Sequence, residues 1–131
     1  MRLAHEKGVR VVPFSGPSSI LLALAASGLE GQRFAFHGYL PVKQPDLEQA
    51  LKELERQSRR LSQTQIFIET PYRNDATLAT MLRTLRDDTL VCVAADLTLE
   101  SEVVMTRPAA AWRDNAPQLK NRPAVFLLLS R

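Results

Sequence analysis

The chain has 131 residues, 45% of them hydrophobic and 24% charged, which is the ordinary composition of one globular domain and excludes a disordered or fibrous segment. Its single cysteine, Cys92, excludes an internal disulfide and a cysteine-rich zinc site; the longest apolar run, Ile20 to Ser27, is too short for a membrane span, and the first residues carry no secretory pattern, so a cytoplasmic protein with no membrane partner is expected. A net charge of +3 favours an approach to phosphate backbones without specifying one.

Met1 to Gly8 reads as the closing turns of a helix, with helix formers followed by a glycine suited to the left-handed cap. Two turns are marginal in water, so residues 1–8 are expected to end a helix belonging to a missing N-terminal domain or linker, with residues 9–131 as the domain proper. Val9 to Phe14 is β-branched and strand-like, and Ser15-Gly16-Pro17 turns the chain, with Pro17 suited to a first helical position. Ile20 to Ala26, apolar on every face, predicts a buried helix ended by Ser27-Gly28. Phe34 to Leu40 predicts a second strand. Pro45 to Glu48 begins a helix in which Leu47, Ala50, Leu51 and Leu54 fall on one face. Near its end, Arg56, Arg59 and Arg60 complement the helix macrodipole; a nucleic-acid patch is the other reading of the same three residues.

Gln65 to Glu69 predicts a third strand, after which Leu78, Met81, Leu82 and Leu85 repeat the helical spacing. Leu90 to Ala95 and Glu102 to Thr106 are further strands that a loop from Asp96 to Ser101 can join as a hairpin. A short helix around Ala109 to Arg113 and a last strand, Ala124 to Leu129, complete the pattern. Cys92, inside the apolar run of its strand, is a structural thiol. Alternating strands and helices predict an α/β fold: a three-layer sandwich with a mixed, mostly parallel sheet of about five strands, helices on both faces and an antiparallel portion near the C-terminus.

Ligands of open α/β sheets sit beyond the carboxyl ends of strands, where loops and helix N-termini present free N–H groups. Ser15-Gly16-Pro17-Ser18-Ser19 joins a strand to a helix there; its small residues permit close approach of a ligand, or else form an ordinary cap in which Ser15 or Ser18 bonds a free N–H. Glu69-Thr70-Pro71-Tyr72-Arg73 sets an acid, an aromatic and a base at one strand end. Arg73 is placed to pair with Glu69, and Tyr72 either stacks on a flat ligand or packs against a helix. Asp96 and Thr98 follow a third strand end and are candidates for the same edge. His37 is a candidate general base or a hydrogen-bonded strand histidine. Nothing in the sequence resembles a metal cluster, a catalytic triad or a glycine-rich phosphate loop.

Taken in order, Val12-Pro13-Phe14-Ser15-Gly16-Pro17-Ser18-Ser19, Phe36-His37-Gly38-Tyr39-Leu40-Pro41, Ile68-Glu69-Thr70-Pro71-Tyr72-Arg73 and Ala94-Ala95-Asp96-Leu97-Thr98 resemble the C-terminal domain of the tetrapyrrole methylase family, nearest its ribosomal-RNA-modifying branch. The sequence departs from that branch at Ser19, where alanine is frequent, and at Tyr72, where histidine is. The resemblance implies a transferase that uses S-adenosylmethionine, held between two α/β domains of which this chain supplies the second, and that is inactive as this piece alone. It implies that Ser18, Ser19, Glu69, Thr70, Ala95 and Thr98 face the cofactor and that His37, Tyr72 and Arg73 face the substrate, with no catalytic residue assigned. The acceptor it implies is ribosomal RNA, and the assembly a homodimer. Two other readings remain open: methylation of a tetrapyrrole or other small molecule, and a non-catalytic, dimerising α/β module.

Overall fold

The computed structural model describes residues 1–131 and contains five helices, a 3-10 turn and one five-stranded sheet. In chain order these are α1 (Arg2–Glu6), α2 (Ser19–Ser27), β1 (Phe34–Tyr39), α3 (Gln44–Leu61), β2 (Thr64–Ile68), the 3-10 turn Pro71–Arg73, α4 (Asn74–Thr84), β3 (Leu90–Ala95), β4 (Val103–Pro108), α5 (Ala109–Arg113) and β5 (Ala124–Leu129). Strand order in the sheet is β1-β2-β5-β3-β4.

The α/β class, the strand number and helices on both faces are as expected, and the strands from β1 onward fall within two residues of their predicted bounds. The balance of directions is the reverse of the expectation. Only β1 and β2 pair in parallel; β2 with β5, β5 with β3, and β3 with β4 are all antiparallel. The physical reason is that the last strand inserts between β2 and β3, so two strands that a helix connects are separated by one that runs the other way. The β3–β4 hairpin forms as predicted.

Alternation of side chains across the sheet divides the interior in two. On one face Phe67, Val91, Val93, Ala95, Phe126 and Leu128 meet α3, α4 and α5 in a cluster of 17 buried residues, the larger core. The predicted stripe of α3 supplies Leu47, Leu51 and Leu54 to it, and α4 supplies Leu78, Met81 and Leu82, with Leu85 just beyond. Phe67 and Phe126 stack on neighbouring strands with centroids 5.4 Å apart. Trp112 of α5 is fully buried, its indole Nε1 donating to the Val91 carbonyl at 2.9 Å. On the opposite face Ile66, Cys92, Ala94, Val125 and Leu127 pack beneath α2, and Cys92 is the buried free thiol expected.

Three local expectations are corrected. Val9 to Phe14 has strand chemistry but forms no strand: no sheet edge accepts it, and Phe14 is 95% exposed. Helix α2 is not buried all round; only Ala23, Leu24 and Ser27 are buried, with Ile20 partly covered, and Leu21 is 56% exposed, because the sheet covers one side of the helix and nothing in this chain covers the other. Pro17 is not the first helical residue, since Ser18 takes the N-cap position and its hydroxyl accepts from Leu21 N at 3.5 Å. At the other end Gly28 adopts the left-handed cap (φ 70°) as predicted, and Gly8 (φ 65°) does the same after α1.

Candidate functional site

The carboxyl ends of β2 and β3, the amino end of β5 and the first residue of α2 converge around a cleft of about 300 Å³ on the α2 side of the sheet. Its apolar walls are Ile68, Pro71, Ala94, Leu97, Leu99 and Val125, and its polar atoms come from Ser19, Glu69 and Asp96. The volume falls at the lower end of the range for small-molecule sites, and apolar walls with a few converging polar groups are the usual make-up of such sites.

Of the residues expected to face a cofactor, the cleft brings together Ser19 and Glu69. Ser18 stands next to it as the helix cap. Glu69 is engaged by the protein: its Oε1 accepts from Thr70 N at 2.7 Å and Thr70 Oγ1 at 3.2 Å, and its Oε2 from Thr77 Oγ1 at 3.0 Å, with the Arg73 guanidinium 3.6 Å away. Glu69 and Thr70 therefore brace the turn into α4 and set the position of Pro71. Ala95 faces the other way, into the larger core, and Ala94 lines the cleft instead; adjacent strand residues point to opposite faces, so the expectation was displaced by one position. Thr98 is exposed in a left-handed conformation (φ 71°), its N–H donating to Glu102 Oε2 at 2.6 Å, outside the cleft lining.

Asp96 is the second acid that lines the cleft, and it is largely buried there. It sits in the left-handed region (φ 52°), which an aspartate tolerates better than most residues. Its Oδ2 accepts from Arg122 Nε at 2.7 Å and from Ser101 Oγ at 2.9 Å, while Oδ1 has no protein partner. Hydrogen bonds from Arg122 and Ser101, and the guanidinium charge, hold the carboxyl below its ordinary pKa of 3.8, so it is ionised at neutral pH. Arg122 Nη2 also donates to the Ser101 carbonyl at 2.7 Å, which ties the β3–β4 loop to the start of β5.

The three expected substrate residues lie outside the cleft lining. Arg73 donates to the Val42 carbonyl at 3.2 Å, joining the 3-10 turn to the approach of α3, and its pairing with Glu69 is as predicted. Tyr72 does not pack against a helix; it is 69% exposed on that turn. His37 lies in edge strand β1, its Nε2 2.6 Å from Oε1 of the fully buried Gln65; the carbonyl oxygen accepts, so Nε2 carries the proton and the strand-histidine reading fits. Gly38, next to it, has φ 67° where the register between β1 and β2 shifts.

A comparison with protein-family models finds no match. Curated relatives do align over most of the chain: "Ribosomal RNA small subunit methyltransferase I" of Vibrio cholerae is 38% identical over 106 residues, 81% of this chain and 35% of the relative. The protein of that name from Xylella fastidiosa is 34% identical over 130 residues, 98% of this chain and 46% of the relative. Over the aligned residues the chain is a homologue of these ribosomal RNA small subunit methyltransferase I proteins, which are members of the tetrapyrrole methylase family. It spans less than half the length of either of these two relatives. Among solved structures, diphthine synthase superposes with a TM-score of 0.66 at 14% identity, over 98% of this chain and 52% of the other, and the methyltransferase CobJ with 0.58 at 19%, over 98% and 55%. Both likenesses are of fold alone, and both structures are about twice the length of the aligned region. No helix is long and apolar enough to cross a membrane.

Proposed function

We propose that this chain is the C-terminal half of an S-adenosylmethionine-dependent methyltransferase and forms one wall of the cofactor cleft, the acceptor being ribosomal RNA. The observation that carries the reading is the cleft beyond β2, β3 and α2, in a chain whose relatives are named as ribosomal RNA methyltransferases. The cleft's chemistry suits the ligand. The ionised Asp96, with Oδ1 unpartnered, is a counter-charge for a sulfonium or ammonium, the Ser19 hydroxyl is a hydrogen-bonding group, and Ile68, Leu97 and Val125 offer an apolar surface to a base. Bound there, S-adenosylmethionine supplies an activated methyl group. The chain's own residues then hold and orient it, and transfer from such a donor depends more on position than on a protein base.

In this reading residues 1–8 and the strand-like but unpaired Val9 to Phe14 form the seam toward the other half, and the exposed apolar side chains of α2 and β1 are contact surface for that half or for a second copy. The protein works in the cytoplasm as a homodimer, and this piece alone is inactive.

Calorimetry with S-adenosylmethionine tests the cleft, on this chain and on a chain carrying the upstream half. Tight binding by the longer protein, lost in Asp96→Ala, and weak binding by this chain are expected. Tight binding by this chain alone overturns the half-site reading, and unaltered binding by Asp96→Ala overturns the placement of the ligand.

A further inference from the structure

We propose that the outer face of α3 is a docking surface for the phosphate backbone of RNA, remote from the cleft. The proposal rests on the ribosomal RNA acceptor of the reading above and deepens it by naming where the RNA lies. Gln49, Lys52, Arg56, Arg59 and Arg60 line a shallow groove of about 600 Å³ along the helix. Residues at these spacings return to one side of a helix, and from Lys52 to Arg60 the row extends about 12 Å.

The charge of this row is largely unneutralised. Lys52 and Arg60 are exposed and make no ion pair. Arg59 donates to Ser130 Oγ, a neutral acceptor, at 2.9 Å. Arg56 pairs only with Glu53, in an exposed contact of the kind that contributes little and that a phosphate can displace. The one acid that lines the groove, Glu55, is turned inward: its Oε1 accepts from Arg86 N at 2.8 Å and from the Thr89 hydroxyl, and it is buried. Completing the macrodipole of α3 does not require four cations over three turns, of which Lys52 and Arg56 stand outside the last turn.

The topology orients the row toward the site. Because α3 crosses over between the parallel strands β1 and β2, it runs against them: its C-terminal turn lies at the far end of the sheet, and its N-terminus at the end where the cleft opens. Arg73 joins the cleft's 3-10 turn to Val42, just ahead of α3. A strand of RNA held by Arg60, Arg56 and Lys52 is thereby led along the helix toward Arg73 and Tyr72. Contacts of this kind position a nucleic acid without reading its sequence.

Fluorescence anisotropy with a labelled RNA hairpin, measured over a series of salt concentrations, tests the proposal on this chain. The triple variant Lys52→Gln, Arg56→Gln, Arg60→Gln is expected to bind at least tenfold more weakly at low salt, with a log K against log salt slope shallower by roughly 2–3, as three lost phosphate contacts require. A control, Arg2→Gln with Arg10→Gln, removes cations elsewhere and is expected to leave both values unchanged. Far-ultraviolet circular dichroism checks that each variant is folded, and Lys52→Gln alone serves if the triple variant is not. Unchanged RNA binding in a folded variant overturns the proposal; so does an equal loss in the control, or tighter binding to vesicles of anionic lipid than to RNA. RNA retained through the row by a protein that transfers no methyl group leaves the docking surface standing while the methyltransferase reading falls.

Discussion

At the residue scale, Asp96 shows how a strand end becomes a candidate binding position. Its carboxylate is divided: Oδ2 is fixed by Arg122 and Ser101, and Oδ1 makes no hydrogen bond within the protein. Since its pKa is held below 3.8 in the folded chain, it contributes stability that is fully present above that value and is lost as the pH falls through the folded pKa. Asp96→Asn is the informative substitution, because asparagine also tolerates the left-handed backbone. The gap in urea midpoint between wild type and Asp96→Asn is expected to be widest near neutral pH and to close as the pH falls below 3.8. A gap of constant width across that range would assign the loss to packing instead of charge. The pairing of Glu69 with Arg73 was legible from a four-residue interval at a strand end. The choice of Ala94 over Ala95 was not, because two adjacent small residues in an apolar run carry no mark of which faces the cleft, and only the register with β5 decides it.

At the scale of elements, α2 and α3 contrast in how far a pattern determines burial. Helix α3 has one apolar stripe, and the structure buries it. Helix α2 is apolar on all sides, so its sequence cannot say which side meets the sheet; the structure covers Ala23 and Leu24 and leaves Leu21 and Leu22 in solvent. Truncating Leu51, which is fully buried, removes contacts from both the helix and the sheet, and Leu51→Ala is expected to cost about 2–5 kcal/mol in urea unfolding. Leu21→Ala, more than half exposed, is expected to stay within about 0.5 kcal/mol of wild type. Comparable losses at the two positions would show that α2 is covered in solution. Val9 to Phe14 makes the same point for a strand: β-branched residues supply the propensity, but a strand exists only where a neighbour accepts its hydrogen bonds.

For the molecule as a whole, the class and most elements could be read from periodicity, whereas the sheet order could not, since nothing local to Ala124 to Leu129 tells that it inserts between β2 and β3. That order has a consequence for the surface. The edge strand β1 lies two places beyond the sheet region that α2 covers, and Phe36, aligned with Ile66 on the α2 side, is left 47% exposed. With Leu21, Val12 and Phe14 it belongs to a set of large apolar side chains in solvent of the kind that marks an interaction surface. Light scattering is therefore expected to show this chain associating as its concentration rises. The double variant Leu21→Lys, Phe36→Lys should hold it as a monomer with a nearly unchanged melting temperature, because charges added to an exposed face remove an attraction between molecules without opening either core. Were the wild type to remain monomeric at the concentrations that calorimetry uses, the apolar face would have no part in self-association. Were the double variant to unfold at a markedly lower temperature, that face would already be packed within one chain.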